Sequence, residues 1–216
     1  FDPGLGLRKL CEQLQVNSLQ AYGAQDMNLA HAAAAALLSF AEHTQGRALS
    51  HVASLEVPRT RDLLDLPPAT LRNLELTQTL RGEDAPTLLS LLDTCRTGMG
   101  SRALRQWLTQ PLRDRATARA RHDAIACLLT PPAMDQGYES VREALRQMSD
   151  VERITARVAL RQVRPRELAG LRDTLLTLPQ LRERVPDAAP LLAQLHTGLQ
   201  PDAGIAQQLQ AMLMET

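Results

Sequence analysis

The residues most suggestive of chemistry lie in one stretch, Thr97–Asp114, "TGMGSRALRQWLTQPLRD". Gly98, Gly100 and Ser101 followed by an apolar run have the outline of a phosphate loop feeding a helix. The chemistry asks for more. A Walker loop needs G-x-x-x-x-G-K-[ST], because a lysine ammonium must reach the outer phosphates. Here arginine follows the glycines, and of the 24 basic residues only Lys9 is lysine. Lys9 falls in a polar-faced helix far from any glycine-rich loop. A dinucleotide fingerprint needs a strand before it and a third glycine after it. Leu88–Cys95 reads as helix, and the third glycine is missing. A nucleophile elbow needs a residue between its first glycine and its serine, but Ser101 follows Gly100 directly. The segment reads better as helix packing. Thr97 caps a helix, and Gly98 and Gly100 allow close helix approach at some cost in propensity. Ala103, Leu104, Trp107 and Leu108 form an apolar stripe. Trp107, the one tryptophan, is then expected as a core anchor, and Pro111 stops the helix.

Other reactive side chains form no constellation. His31, His43, His51, His122 and His196 share no i,i+4 pair and neighbour no cysteine, so a metal site would need long-range assembly. His122 and Asp123 are adjacent, but neighbours on a helix point about 100° apart, which does not suit a catalytic dyad. Cys11, Cys95 and Cys127 are isolated and odd in number, which fits a reduced compartment. Arg153, Arg157, Arg161 and Arg164 recur at helical spacing. They could track phosphates. Ion pairs to Asp150 and Glu167, or to other domains, are the favoured reading, since arginine suits bidentate pairing at domain joints. No catalytic, cofactor-binding or metal residue is therefore assigned.

The elements that would position these groups are helical. Hydrophobics make up 44% of the chain and are dominated by Leu and Ala, with few β-branched or aromatic strand formers. Periodicity predicts helices over 5–16 and 26–43, with Asp26 capping and Gly46 ending the second. Pro67-Pro68 starts a short helix over 69–75. Further helices are expected at 87–95, 98–110, 115–129, 133–147, 150–162, 165–177, 188–196 and 202–214, separated by Pro111, Pro131-Pro132, Pro165, Pro179, Pro186, Pro190 and Pro201. The exception lies at residues 51–66. There Ala53, Leu55 and Val57 alternate with polar residues, "PRTRD" turns the chain, and Leu64 and Leu66 return, which predicts one small antiparallel β pair. The predicted fold class is thus mainly α, a multi-helix bundle with that single β pair.

Charge sharpens the picture. The formal net charge is zero, which argues against wholesale polyanion binding. The zero hides a basic middle: residues 96–121 carry seven arginines against Asp114, net +6, and residues 142–172 are net +4. No apolar run approaches the ~18 residues of a membrane span, so no membrane partner is expected. The closing "QAMLMET" stops inside a helical pattern, which suggests a piece of a longer protein.

Several stretches together resemble the MutS family of DNA mismatch-recognition ATPases. "TGMGSRALRQWLTQPLRD" followed by "ARARHDAIACLL" resembles its core-domain signature. "ATLRNLELTQTLRG" before "TLLSLLDTCRT" resembles the entry into that core. "SDVERITARVALRQVRPRELAGLRDTLLTLPQL" resembles its Asp-hydrophobic-Glu-Arg-Ile helix and Arg-Pro-Arg turn, and "HTQGRALSHVASLEV" the join between connector and core. The similarity runs in order through nearly the whole chain. It departs at Gly98, where many members have Pro, and at Pro67-Pro68, where Asp-Ala is common.

The resemblance implies the C-terminal part of a connector domain at 1–46 and the first part of a core, or lever, domain at 47–216, cut before the clamp and the ATPase domain. It implies a structural and allosteric role in a cytoplasmic repair protein, with no chemistry in this segment. ATP with Mg²⁺ would be bound elsewhere in the full-length chain. Implied partners are the remaining MutS domains, mismatched duplex DNA, a second copy and a MutL-type protein. Phe40-Ala41-Glu42 spells the family's mismatch-wedging F-x-E motif, but a wedge must be exposed on a loop or strand. Phe40 follows Leu37 by three residues on an Ala-rich helix and is expected in the core. Two other readings remain: a stand-alone Arg-rich module binding nucleic acid, and a helical scaffold for protein partners.

Overall fold

The structure, a computed structural model, describes residues 2–57, 62–131 and 133–213. The chain divides into two compact units, Phe1–Arg59 and Thr60–Thr216. Among the described residues there are eleven α-helices and one 3₁₀ turn.

The first unit holds α1 (Pro3–Leu14) and α2 (Asn28–Gln45), with the 3₁₀ turn Gln20–Tyr22 between them. Asp2 caps α1 by accepting from the Leu5 amide at 2.9 Å, and Pro3 occupies the first turn, where its missing N–H costs nothing. The two helices approach closely because residue 6 is glycine: a Cβ there would lie 2.6 Å from the His31 carbonyl oxygen. Leu10, Leu19 and Ala24 form the buried cluster. His31 is buried and donates from Nε2 to the Ala24 carbonyl at 2.6 Å. Lys9, the only lysine, pairs with Glu42 across the two helices at 2.5 Å.

Three expectations fail in this unit. Asp26 does not cap α2, whose N-cap is Met27 with no side-chain bond. Phe40 is not in the core but 65% exposed. The buried face of α2 is His31, Ala32 and Ala35, and Phe40, nine positions after His31, lies about 180° around the helix. The small β pair is also absent among the described residues. Leu55 and Val57 instead pack on the Leu10–Leu19–Ala24 cluster, and Gln13 Nε2 holds the chain by donating to the Leu49 and Val52 carbonyls at 2.8 and 2.9 Å. Packing of Leu55 and Val57 holds the segment against the helices, and Gln13 anchors the chain just before it. Most of the expected turn, residues 58–61, lies outside the described residues. Leu63 makes one isolated antiparallel bridge, and its partner is Leu112.

The second unit holds α3 (Pro68–Asn73), α4 (Leu88–Leu92), α5 (Gly98–Thr109), α6 (Arg115–Leu129), α7 (Tyr138–Leu145), α8 (Val151–Ala159), α9 (Pro165–Arg184), α10 (Pro190–Gly198) and α11 (Ala203–Met212). Asp114, Asp150 and Asp202 cap α6, α8 and α11 by accepting first-turn amides. The core gathers Ala124, Ala144, Leu181, Val185, Ala189 and Leu192. Helix α9 is central to it, packing against α7, α8 and α11. It runs straight through Pro179, which was expected to end it. Proline removes one helical hydrogen bond and crowds the preceding turn. Here Leu171 and Thr174 are buried before Pro179 and Leu181 after it, so packing on both sides outweighs that cost. Helix α7 starts later than expected, at Tyr138, and α4 ends early because Asp93 turns out of it.

Candidate functional site

The glycine-rich stretch begins α5, and its local hydrogen bonds are closed internally. Thr97 Oγ1 accepts from the Gly100 amide at 3.1 Å, and the Ser101 amide returns to the Thr97 carbonyl at 3.2 Å. Asp93 sits against the same turn. Its Oδ1 accepts from Ser101 Oγ at 3.0 Å and from the Cys95 amide at 3.1 Å. The Ser101 hydroxyl, followed by the Cys95 amide, holds the Asp93 carboxyl below the ordinary carboxylate value. Burial, and then the neighbouring carboxylate, pushes the Cys95 thiol the other way. A helix start that already faces a carboxylate repels a phosphate instead of attracting one.

Gly98 and Gly100 serve different contacts. A Cβ on Gly100 would press on Cys95 and Thr97 at 3.2 Å, so this glycine fits α5 onto the turn before it. A Cβ on Gly98 would lie 3.2 Å from Asp150 Oδ2, so this one admits the cap of α8. Beside that notch stands Arg102. Its Nη1 and Nη2 donate to Asp150 Oδ2 and Oδ1, both at 2.7 Å, and its Nη2 and Nε donate to Glu152 Oε2 at 2.6 and 3.2 Å. The planar guanidinium meets Asp150 bidentately and Glu152 along its remaining edge, a geometry lysine cannot reproduce. These bonds hold the Asp150 carboxyl below its ordinary range and raise the Arg102 guanidinium. Asp150 also accepts from the Arg153 amide at 3.2 Å, so one carboxylate caps α8 and ties it to α5.

Trp107 is not the expected core anchor. It is 50% exposed, and α5 contains no fully buried residue. The stripe of Ala103, Leu104 and Leu108 is half-buried. The Arg121 guanidinium of α6 lies over the indole, 3.7 Å from its centroid, so α5 and α6 meet through a cation–π contact.

The arginine series does not form one stripe. Helix α8 ends at Ala159, and Arg161 takes φ +50. The Gln162 amide then reaches back to the Arg157 carbonyl at 2.9 Å in a left-handed helix end. Arg164 precedes α9, and its amide donates to Glu167 Oε2 at 2.8 Å. Only Arg153 and Arg157 share a helix. Arg157 pairs with Glu167 at 3.2 Å, joining the two helices across the turn, and Asp150 is taken by Arg102.

Among the described residues no group of three or more His, Cys, Asp or Glu side chains is placed to hold a metal, and no helix is long and apolar enough to cross a membrane. The three cysteines are free thiols.

Fold and site together define a multi-helix scaffold whose helices are capped and cross-tied by arginine. The family model for MutS domain III matches residues 69–216, and the chain belongs to that family, with a place in DNA mismatch repair.

Proposed function

We propose that this chain is the structural and allosteric core segment of a mismatch-recognition ATPase, joining the domain that hydrolyses ATP to the clamp that grips DNA. In this reading residues 1–46 are the end of the connector domain and 47–216 the first part of the core. The segment performs no chemistry itself. ATP with Mg²⁺ is held by another domain of a cytoplasmic protein, and mismatched duplex, a second copy and a MutL-type protein are partners of the whole.

One observation carries the proposal: the Arg102 fork binds the starts of α5 and α8 together across the Gly98 notch. A side chain that reads two helix starts at once makes them move as one body. Packed helices transmit displacement as units and do not absorb it smoothly. The test uses the longer protein containing this chain. Arg102→Ala is expected to leave ATP turnover without DNA within about twofold and to reduce its response to mismatched duplex by about tenfold, a coupling loss of ordinary size. Equal loss of basal and DNA-dependent turnover would mean that the variant damages the fold and does not uncouple it.

A further inference from the structure

A second site lies away from the Arg102 fork. The loop between α3 and α4 leaves and returns at neighbouring points: the Leu88 and Leu89 amides donate to the Glu75 and Leu76 carbonyls at 3.4 and 2.9 Å. Glu75, at φ +46, turns its carboxylate into the loop and accepts from the Leu80 amide at 2.6 Å. The Thr79 amide closes onto the Glu83 carbonyl at 2.8 Å. The loop thus has a fixed internal shape. Against α3 and the last residue of α5 it encloses a cleft of about 480 Å³.

The charged side chains that line this cleft are all basic, set among Leu71, Leu76 and Leu80. Arg72 and Arg81 line it, and neither guanidinium has a hydrogen-bond or ion-pair partner among the described residues. Thr77 and Gln78 add a hydroxyl, a carboxamide and two backbone amides that likewise donate to no protein acceptor. No aspartate or glutamate is among the lining residues, although the Glu75 carboxylate, bonded to the amide of the lining residue Leu80, adjoins the cleft and must be outweighed by the two guanidiniums.

From this donor set we propose that the cleft binds a phosphate-type oxyanion. Two guanidiniums supply charge and the Thr77–Gln78 amides supply direction, as in other backbone concavities that hold anions. The phosphate can come from a nucleic-acid backbone or from a free anion, and salt dependence separates the sources. Each lysine or arginine that neutralises a backbone phosphate contributes about 0.9 to the slope of log K against log salt. The site stands independently of the allosteric reading.

The 216-residue chain is titrated with inorganic phosphate and with a 16-base-pair duplex while backbone amide resonances are followed. Shifts centred on Thr77, Gln78 and Gly82 are expected with at least one probe. Arg72→Gln with Arg81→Gln is expected to weaken that probe about tenfold. The exposed pair Arg8→Gln with Arg166→Gln, outside both the cleft and the basic stretch 96–121, should leave it within twofold. For the duplex, the first pair should lower the salt slope by about two. Loop shifts with phosphate and an unchanged duplex slope assign the site to a free anion. The wild-type titration does not depend on how the variants fold. Absence of loop shifts with both probes, or equal weakening by both variant pairs, overturns the proposal.

Discussion

Half of Trp107 is open to solvent, and its most direct partner is Arg121 at 3.7 Å. Truncating a true core tryptophan costs about 3–5 kcal/mol. Removing a partly exposed ring under a guanidinium costs less, so Trp107→Ala is expected to lower stability by about 1 kcal/mol in urea melts. A loss above 3 kcal/mol would place the indole in a core after all. The spacing of Ala103, Leu104, Trp107 and Leu108 correctly announced a helix, because helical periodicity is local. It did not announce which member of the stripe would be covered, because that depends on what packs there. The Arg102 fork was illegible for a related reason. Its partners lie 48 and 50 residues later, and no local pattern links them. Asp150, which caps α8, was read from sequence only as an ion-pair partner for the Arg153–Arg164 series.

The same aspartate sets a pH dependence. Its folded carboxyl titrates below its ordinary value of 3.8, chiefly because Arg102 bonds the charged form. A depressed carboxyl stabilises the fold above its unfolded value, and that stability is lost as pH falls through the folded value. Asp150→Asn is therefore expected to be less stable than the parent at pH 7 and to show a shallower loss below pH 4 in pH-stepped urea melts. Asp2, Asp93 and Asp114, each held low by hydrogen bonds, keep their shares of the acid limb. An unchanged slope would mean that the Arg102–Asp150 bonds are not kept in solution.

At the scale of elements, helix starts read well from sequence where the signal was local, although of the two expected caps Thr97 caps its helix and Asp26 does not. Thr97, Asp114, Asp150 and Asp202 start helices, and Arg115–Leu129 matches its expected bounds. Misreadings arose where tertiary packing overruled local preference. Alternation at 53–57 looked like a strand, yet Leu55 and Val57 serve a helical core. The four arginines looked like one helical row, yet the left-handed turn at Arg161 divides them. Pro179 looked like a stop, yet α9 continues to Arg184 because Leu181 is buried beyond it. Pro179 is itself exposed, so replacing it loses no buried contact. Pro179→Ala restores a helical N–H and relieves the preceding turn, while the unfolded chain gains some freedom. The expected net effect is about 1 kcal/mol of stabilisation, read as a higher urea midpoint with an unchanged slope. A destabilised variant would show that the restriction proline places on the unfolded chain outweighs the hydrogen bond it removes.

For the whole molecule, the decisive quantity is how charge is distributed relative to what could be bound specifically. The net charge is zero, yet residues 96–121 alone are net +6. Part of that excess is engaged internally, by Arg102 on α8 and by Arg121 on Trp107. What remains gives a diffuse attraction for polyanions. The chain is therefore expected to bind duplex DNA at about 10⁻⁴ to 10⁻⁶ M at physiological salt, weakening steeply as salt rises. It should not prefer a G·T mismatch over a homoduplex, because Phe40, the one residue with the look of a wedge, lies in the middle of α2 and not on a loop. Nanomolar, mismatch-selective binding by these 216 residues would make the chain a nucleic-acid module in its own right. ATP turnover should match a buffer blank, since Asp93 faces the glycine-rich helix start and Lys9 is committed to Glu42. Turnover abolished by substituting Gly98 or Gly100 would return that stretch to the phosphate chemistry its outline suggests.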